Sequence, residues 1–337
     1  MSHTGVAMPD RGEFATRTEP FRRELLAHCY RILGSVDDAE DLVQETYLRA
    51  WHYYDQFQGR SSVRTWLYQI ATNACLTARQ HQARRPLPSG LAAPGEDQQA
   101  PPAGAGAAVR WLQPIPDALV TPESDDPAAI VVSRDSLRLA LIAALQYLPA
   151  RQRTVLLLRD VLTFPANEVA GMLDTTTAAV KSMLQRARAR LDQVAPSADQ
   201  VSEPAEPEAR ALLDRYITAF EHADAKALER LLRQDATLEL PPSSTWFAGD
   251  KAVANAVAGL GAPGDWRMVP TSANGQPAAA TYHRAADGTY QAYGIVVLTA
   301  TTTGIARIVV FADPGLLATF GLPPAHPAAA AAPPASR

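Results

Sequence analysis

The chain has 337 residues, a formal net charge of −4 and 47% hydrophobic residues. This length is sufficient for two or three domains, each with its own core. The slightly acidic balance excludes a generally basic nucleic-acid coat, so any nucleic-acid binding has to be local. No apolar run is long enough to span a bilayer and the N-terminus lacks a signal-peptide core, so we expect a soluble, cytoplasmic protein without a membrane partner.

Composition divides the chain into three predicted folded parts and the segments between them. The folded parts are 20–85 and 131–194, both all-helical, and 208–323, a mixture of helices and strands. The segments rich in Pro, Gly and Ala are 86–130, 195–207 and 324–337. Because such compositions cannot support a packed core, we expect two linkers and a disordered tail. The first linker contains an apolar island, WLQPIPD.

The first notable helix is DDAEDLVQETYLRAW, residues 37–51, whose acids are concentrated at its start. Negative charge is favoured there by the helix dipole. The acidic surface should meet a basic partner and would repel DNA. A well-capped surface helix without a partner is the alternative interpretation.

The next segment, FQGRSSVRTWLYQIATNACLTARQHQARR (57–85), interleaves aromatic residues with polar and basic ones. That combination suits single-stranded DNA, because rings stack on unpaired bases while guanidinium groups hold the backbone. Trp66 and Tyr68 could equally belong to a core. For Trp66, set in an apolar stripe with Leu67 and Ile70, we favour the core.

Residues 148–191 predict two short helices, a tight turn and a third helix. In DTTTAAVKSMLQRARARL the threonines supply N-cap oxygens, and Val180, Leu184, Ala187 and Leu191 form one buried stripe. The other faces carry Lys181, Ser182, Gln185 and Arg188 with further arginines, which is typical of a helix-turn-helix whose third helix enters the DNA major groove. A solvated basic helix without function is the alternative.

Two of these segments together resemble one family. DAEDLVQETYLRAW followed by GRSSVRTWLYQIATNAC resembles region 2 of sigma-70 family factors of the extracytoplasmic-function (ECF) group. LPARQRTVLLLRDVL followed by EVAGMLDTTTAAVKSMLQRARARL resembles their region 4. The order, spacing and separating linker also match. The resemblance implies a sigma factor that binds core RNA polymerase and directs promoter-specific transcription initiation.

The resemblance also assigns residue roles. The clamp of the largest polymerase subunit would be contacted by Asp38, Asp41, Gln44 and Glu45. The melted −10 element of promoter DNA would be held by Ser61, Ser62, Arg64, Asn73 and Arg79. The duplex −35 element would be read by Thr177, Lys181, Ser182, Gln185, Arg186 and Arg188. Many family members carry Arg or Asn at the position of Lys181, so no −35 sequence preference is carried over.

The C-terminal part has one helical hairpin followed by strand-like runs that end in FADPGLL. This pattern resembles the SnoaL-like, ketosteroid-isomerase-related α+β cone, which a known subgroup of these sigma factors carries. Cone folds use a pocket Asp or His for catalysis. His283, Asp313 and Glu239 are the candidates, but none has a second titratable group at a pairing distance in sequence. We therefore expect no enzyme activity, no cofactor and no metal.

Regulation is the role that the sequence favours for this domain. A tethered domain has a high effective concentration for its neighbours. The linker island WLQPIPDAL resembles a Trp-Leu…Pro motif of the same subgroup, so Trp111, Leu112 and Pro114 are the expected docking residues. A stability module, a stand-alone helix-turn-helix regulator with a ligand-sensing cone and an isomerase with a regulatory helical part are the alternatives. A small ligand and an anti-sigma factor are further partners left open by the sequence.

Overall fold

The computed structural model describes residues 11–59, 61–80, 84–98, 100, 102–104, 108–121, 131, 134–194 and 204–326. Contacts divide the chain into two compact units. The first combines Met1–Arg85 with Leu119–Pro196, and the second combines Pro86–Ala118 with Ser197–Arg337. The predicted architecture of two all-helical regions and one α+β domain is confirmed.

The described residues of the first unit form helices joined by loops. Before the linker it contains α1 (Arg11–Thr18), α2 (Arg22–Leu33), α3 (Val36–His52) and α4 (Val63–Gln80). The four-residue helix α5 (Asp117–Val120) carries the chain back from the second unit. It is followed by α6 (Leu139–Leu145), α7 (Ala150–Leu156), α8 (Ala166–Met172) and α9 (Thr177–Val194), with a π-helical turn at Leu157–Val161.

Local chemistry sets the junction between α2 and α3. Helix α2 ends at Gly34, whose φ of 72° lies in the left-handed region that glycine adopts without steric cost. Ser35 then caps α3, because its hydroxyl accepts the Asp38 backbone N–H at 3.2 Å. The buried faces of α2, α3 and α4 pack together around residues such as Leu25, Cys29 and Leu67.

One further helix precedes the predicted first region. Helix α1 lies before residue 20, and its Phe14 is buried edge-to-face against Trp51 and Tyr54 at centroid distances of 5.2 Å. The apolar contribution of α1 is the single residue Phe14, too little for a helical pattern to be recognised in the sequence. The prediction that Trp66 belongs to the core is also imprecise: Trp66 is half-buried, with its ring 4.8 Å from that of Phe57.

The second unit contains one sheet covered by helices. Its helices are α10 (Glu206–Glu221), α11 (Ala225–Leu231), α12 (Asp250–Ala258) and α13 (Leu316–Thr319). Its strands are β1 (Leu232–Glu239), β2 (Trp246–Ala248), β3 (Trp266–Ala273), β4 (Gln276–Arg284), β5 (Tyr290–Thr301), β6 (Gly304–Phe311) and β7 (Ala325–His326). The strands are ordered β2-β1-β6-β5-β4-β3, with β7 paired to β5.

All pairs in this sheet are antiparallel except β1 with β6. The core of the unit is formed by apolar residues of α10, α11 and α12 and of one face of the sheet, including Tyr216, Val253, Leu298 and Ile308. The predicted turn between two strands in 294–311 is confirmed by the β5–β6 hairpin.

The structure corrects two predicted flexible segments. The described residues of the first linker belong to the second unit, where Leu87, Leu112 and Ile115 are buried despite the polar and proline-rich surroundings. The predicted disordered tail likewise begins with strand β7, where His326 lies opposite Tyr290. The remainder of that tail, 327–337, and most of the second predicted linker, 195–203, lie outside the described residues.

Candidate functional site

Helix α3 presents an exposed face with acidic and amide groups. Asp41 and Gln44 are exposed, as predicted for a protein-binding surface. The other two predicted contacts have partners within the first unit. The carboxylate of Asp38 lies 2.5 Å from the guanidinium of Arg85, whose side chain is only 8% exposed, and Glu45 pairs with Arg49 one turn later.

The loop before α4 and the outer face of that helix carry the predicted −10 residues. Ser61, Ser62 and Asn73 are exposed. The Ser62 hydroxyl also caps the helix, since it accepts the Thr65 backbone N–H at 3.0 Å. Arg79 is half-buried, and burial lowers the pKa of its guanidinium, with the nearby charge of Arg85 as a second cause. Tyr68 is fully buried, so it belongs to the core and has no free face for stacking.

Arg64 is held between the two helical regions of the first unit. Its guanidinium pairs with Glu24 at 2.9 Å and lies 4.9 Å from the ring centroid of Phe164, a residue that precedes α8. One residue further along α4, the Thr65 hydroxyl donates to Glu168 of α8 at 3.2 Å. Helix α8 and the residues before it therefore cover the N-terminal end of α4.

Helix α9 separates a buried stripe from an exposed polar face. Val180, Leu184 and Ala187 are buried, and Thr176 caps the helix by accepting the Ala179 N–H at 3.1 Å. The exposed residues include all six predicted −35 contacts, Thr177, Lys181, Ser182, Gln185, Arg186 and Arg188.

Three of these six side chains are engaged within the first unit. Arg188 forms a two-pronged ion pair with Asp160, at 2.9 and 2.7 Å, and this contact raises the pKa of the guanidinium. Arg186 donates to the Ser182 hydroxyl at 2.9 Å. Lys181 makes no ion pair with the residues that the structure describes, so its charge is available to a ligand.

The linker docks along the second unit at several points. Leu112 and Pro114 are buried and Trp111 is half-buried, as expected for the island. The backbone of Ile115 exchanges two hydrogen bonds with Asn274 in the β3–β4 turn, at 3.0 and 3.1 Å. Asp117 accepts the Gly275 N–H at 2.7 Å. Earlier in the linker, the indole of Trp246 donates to the Ala92 carbonyl at 2.8 Å.

The three candidate catalytic residues do not converge. Asp313 accepts the Gly315 N–H at 2.9 Å, which is a turn contact. His283 is exposed and its ring packs on Trp266. Glu239 is fully buried and lies 3.5 Å from Arg307, and it accepts the Ser89 N–H of the linker at 2.9 Å. This carboxylate therefore holds the linker.

Comparison with known protein families identifies both helical regions. The profile of Sigma-70 region 2 matches residues 18–85, and that of Sigma-70 region 4 matches residues 138–191. The chain is 50% identical over 320 residues to the ECF RNA polymerase sigma factor SigG of Mycobacterium tuberculosis (strain H37Rv), covering 93% of this chain and 85% of that protein. The chain belongs to the ECF sigma factors.

More distant relatives match different shares of this chain. SigW of Bacillus subtilis is 29% identical over 186 residues, which is 55% of this chain and 90% of that protein. The crystal structure of the Mycobacterium tuberculosis ECF sigma factor SigJ is 22% identical and superposes with a TM-score of 0.59, covering 94% of this chain and all of that one. The fold is therefore shared beyond the two helical regions. The alternative of a stand-alone helix-turn-helix regulator loses its support.

One exposed apolar residue of α3 was not among the contacts predicted from the sequence. Leu48 is 70% exposed, and it follows Asp41 and Gln44 on the same face of α3 at helical spacing. The signal was available, because Leu48 falls outside the stripe of Val43 and Ala50 that packs inward. No helix within the described residues is both long and apolar enough to cross a membrane.

Proposed function

We propose that this sigma factor binds core RNA polymerase through α3, holds the melted −10 element with the residues around the start of α4 and reads the −35 element with α9. The observation that carries the proposal is that α9 buries the stripe of Val180, Leu184 and Ala187 and exposes Lys181, Gln185 and its other predicted −35 residues. On that face a lysine can pair with guanine edges and a glutamine with adenine, while other basic residues contact phosphates.

The polymerase-binding face comprises Asp41, Gln44 and Leu48. Two polar groups beside an exposed leucine suit a protein partner, because the apolar side chain gains from burial while the polar groups set the register. Asp38 and Glu45, which already pair with arginines of their own unit, contribute less.

We propose further that the structure corresponds to a resting state in which promoter binding is restrained. Arg64, a predicted −10 contact, is held by Glu24 and Phe164, and Thr65 beside it donates to Glu168 of α8. A melted strand would have to displace these contacts. Region 4 must therefore move away from the start of α4 before the −10 element can bind.

The docked linker supports the same inhibitory role. The chain leaves the first unit after Arg85 and re-enters it at Leu119, and the linker residues between these points belong to the second unit. A free linker would let regions 2 and 4 sample many separations, whereas a docked one restricts them. The C-terminal unit then acts by binding the linker, without catalysis, and needs neither cofactor nor metal.

Promoter-specific transcription tests the assignment of α9. We expect Lys181→Ala and Gln185→Ala each to lower run-off transcription and −35 duplex affinity by about tenfold, the loss typical of one base contact. Arg188→Ala should have a smaller effect, because Asp160 already binds its guanidinium. Lys226→Ala, an exposed lysine of the second unit, is the matched control. Equal losses for Lys181→Ala and Lys226→Ala would contradict the assignment.

A further inference from the structure

The second unit contains a pocket with a volume of about 320 Å³ between the sheet and its covering elements. Its walls are largely apolar, and include Phe220 of α10, Trp266 of β3 and Val296 of β5. The volume lies at the lower end of the range of about 300–1,000 Å³ that small-molecule sites occupy. Among the described residues that line the pocket, none has a charged side chain.

The polar groups of the pocket are few, and most are already engaged. The Thr281 hydroxyl donates to the Gly294 carbonyl at 3.0 Å, and the Trp266 indole donates to the Leu260 carbonyl at 3.2 Å. Ser243 accepts the N–H of Thr245 within its own turn. Tyr293 is 36% exposed, and its hydroxyl forms no hydrogen bond with the described residues. Partial burial raises the pKa of this phenol, which is a neutral donor at pH 7.

The linker supplies part of the wall. Pro102 and Gly104 line the pocket. Ala103, which lies between them, is hydrogen-bonded to the turn after β1. The Ala103 N–H donates to the Thr245 hydroxyl at 2.7 Å, and the Ala103 carbonyl accepts the Ser244 N–H at 3.0 Å. A molecule in the pocket would therefore contact the sheet and the linker at once.

We propose that this pocket is a binding site for a small, neutral, mostly apolar molecule with one hydrogen-bonding group, which Tyr293 recognises. Charge complementarity excludes anions and cations, since burying an unpaired charge against apolar walls is costly. An apolar ring system fits the aromatic wall, and its polar group accepts from the Tyr293 hydroxyl.

Binding at this site favours the docked linker. A ligand that contacts Pro102 and Gly104 binds more tightly when these residues are in place, and by linkage it stabilises the docked state to the same extent. The effect on transcription rests on the inhibitory role proposed above, and under that role the ligand is a co-repressor. The binding itself does not depend on that role.

Ligand binding to the full-length chain tests the site without reference to transcription. We would titrate the chain with three probes at pH 7 by isothermal titration calorimetry: 2-naphthol, naphthalene and naphthalene-2-sulfonate. We expect 2-naphthol to bind with a stoichiometry of one and at least about tenfold more tightly than the sulfonate. Failure of 2-naphthol to bind, or equal affinity for the sulfonate, would overturn the proposal.

Three variants locate the bound probe. Ala312→Leu adds bulk at the pocket wall and should abolish binding, whereas Ala318→Leu, the same change at an exposed position, should leave it intact. Tyr293→Phe removes one hydroxyl and should weaken 2-naphthol by about three- to tenfold, with naphthalene unchanged. An equal loss for both probes would contradict the recognition by Tyr293, and unchanged binding to Ala312→Leu would place the probe elsewhere.

A fourth variant tests the contribution of the linker. Thr245→Val removes the oxygen that accepts the Ala103 N–H while the side chain keeps its shape. We expect it to weaken 2-naphthol binding severalfold, because the wall formed by Pro102 and Gly104 is loosened. Unchanged affinity would show that the linker is not part of the site, even if the pocket binds the probe. Either result is independent of whether the docked linker inhibits transcription.

Discussion

At the scale of single residues, burial in the first unit changes the pKa of a histidine. His28 is fully buried between α2 and α4, where its Nε2 lies 2.9 Å from the Thr72 hydroxyl. Burial, together with the charges of Arg31 and Arg64, lowers the pKa of His28 to about 3. The neutral ring is therefore the form that region 2 accommodates.

This pKa shift makes the stability of the first unit depend on pH. Below pH 6.5 the unfolded chain protonates His28, whereas the folded chain does so only near pH 3. Stability is therefore lost as the pH falls through this window, by about 1.4 kcal/mol per pH unit from this residue alone. The variant His28→Gln lacks this group, so only the wild type loses the His28 contribution to its unfolding free energy as the pH falls. The difference in unfolding free energy between the two proteins should therefore shrink between pH 6.5 and pH 5.

Urea unfolding followed by helical circular dichroism measures this difference at several pH values. All other titrating groups are common to both proteins, so their contributions cancel. His222→Gln, a change at an exposed histidine of the second unit, should run parallel to the wild type. Parallel curves for His28→Gln would contradict the assigned pKa.

At the scale of elements, one buried arginine joins the two helical regions. Arg153 on α7 is fully buried and donates to the Leu145 and Leu148 carbonyls at 2.7 and 3.1 Å, to the Gln146 side chain at 3.1 Å and to the Ile32 carbonyl at the end of α2. Burial lowers the pKa of this guanidinium to about 9, and it remains charged at pH 7. The last turn of α2 and the α6–α7 connection thus share one donor group.

Removing this arginine should cost more than any exposed change in the same unit. Arg153→Met removes the arginine donor from the buried carbonyls of Ile32 and Leu148, at about 1–3 kcal/mol each, whereas the Leu145 carbonyl keeps the Leu148 N–H. We therefore expect a loss of about 2 kcal/mol or more in unfolding free energy. Arg190→Met, at an exposed position on α9, should stay within about 0.5 kcal/mol of the wild type. Similar urea midpoints for the two variants would show that the buried contacts are not required.

The elements that the sequence predicted are those with a local signal. The buried stripe of α9 and its threonine cap follow from residues within one turn of each other, and so does the acidic start of α3. The ion pairs that engage candidate site residues have no such local signal. Arg85 lies 47 residues from its partner Asp38, and Arg188 lies 28 residues from its partner Asp160. Which charges remain available to a partner therefore depends on tertiary packing.

At the scale of the whole molecule, the largest difference between sequence prediction and structure concerns the linker, which was predicted to be flexible and belongs to the second unit. Its composition predicted flexibility, yet its contacts come from residues far along the chain, such as the hydrogen bond across 154 residues between Ala92 and Trp246. Many of the hydrogen bonds come from backbone groups, such as those of Ser89, Ala103 and Ile115, and backbone groups leave no pattern in the sequence. Only the apolar island, with its buried Leu112, carried a side-chain signal.

Under the proposed function, docking of this linker restrains the sigma factor. Asn274 holds the Ile115 end of the linker from a left-handed position, with φ 57°. Asn274→Gly removes the side chain but keeps a residue that tolerates this φ, so the turn itself is preserved. Asp287→Ala is the matched control, because Asp287 lies in another hairpin of the same sheet and its side chain bonds only within its own turn.

Run-off transcription by core polymerase with the full-length chain, on a promoter selected in vitro, is the most direct test. We expect Asn274→Gly to raise the yield of promoter-specific transcript severalfold over the wild type, because a released linker lets region 4 separate from the start of α4. Asp287→Ala should match the wild type. An unchanged or lower yield with Asn274→Gly would contradict the account, since the docked linker would then be neutral or required.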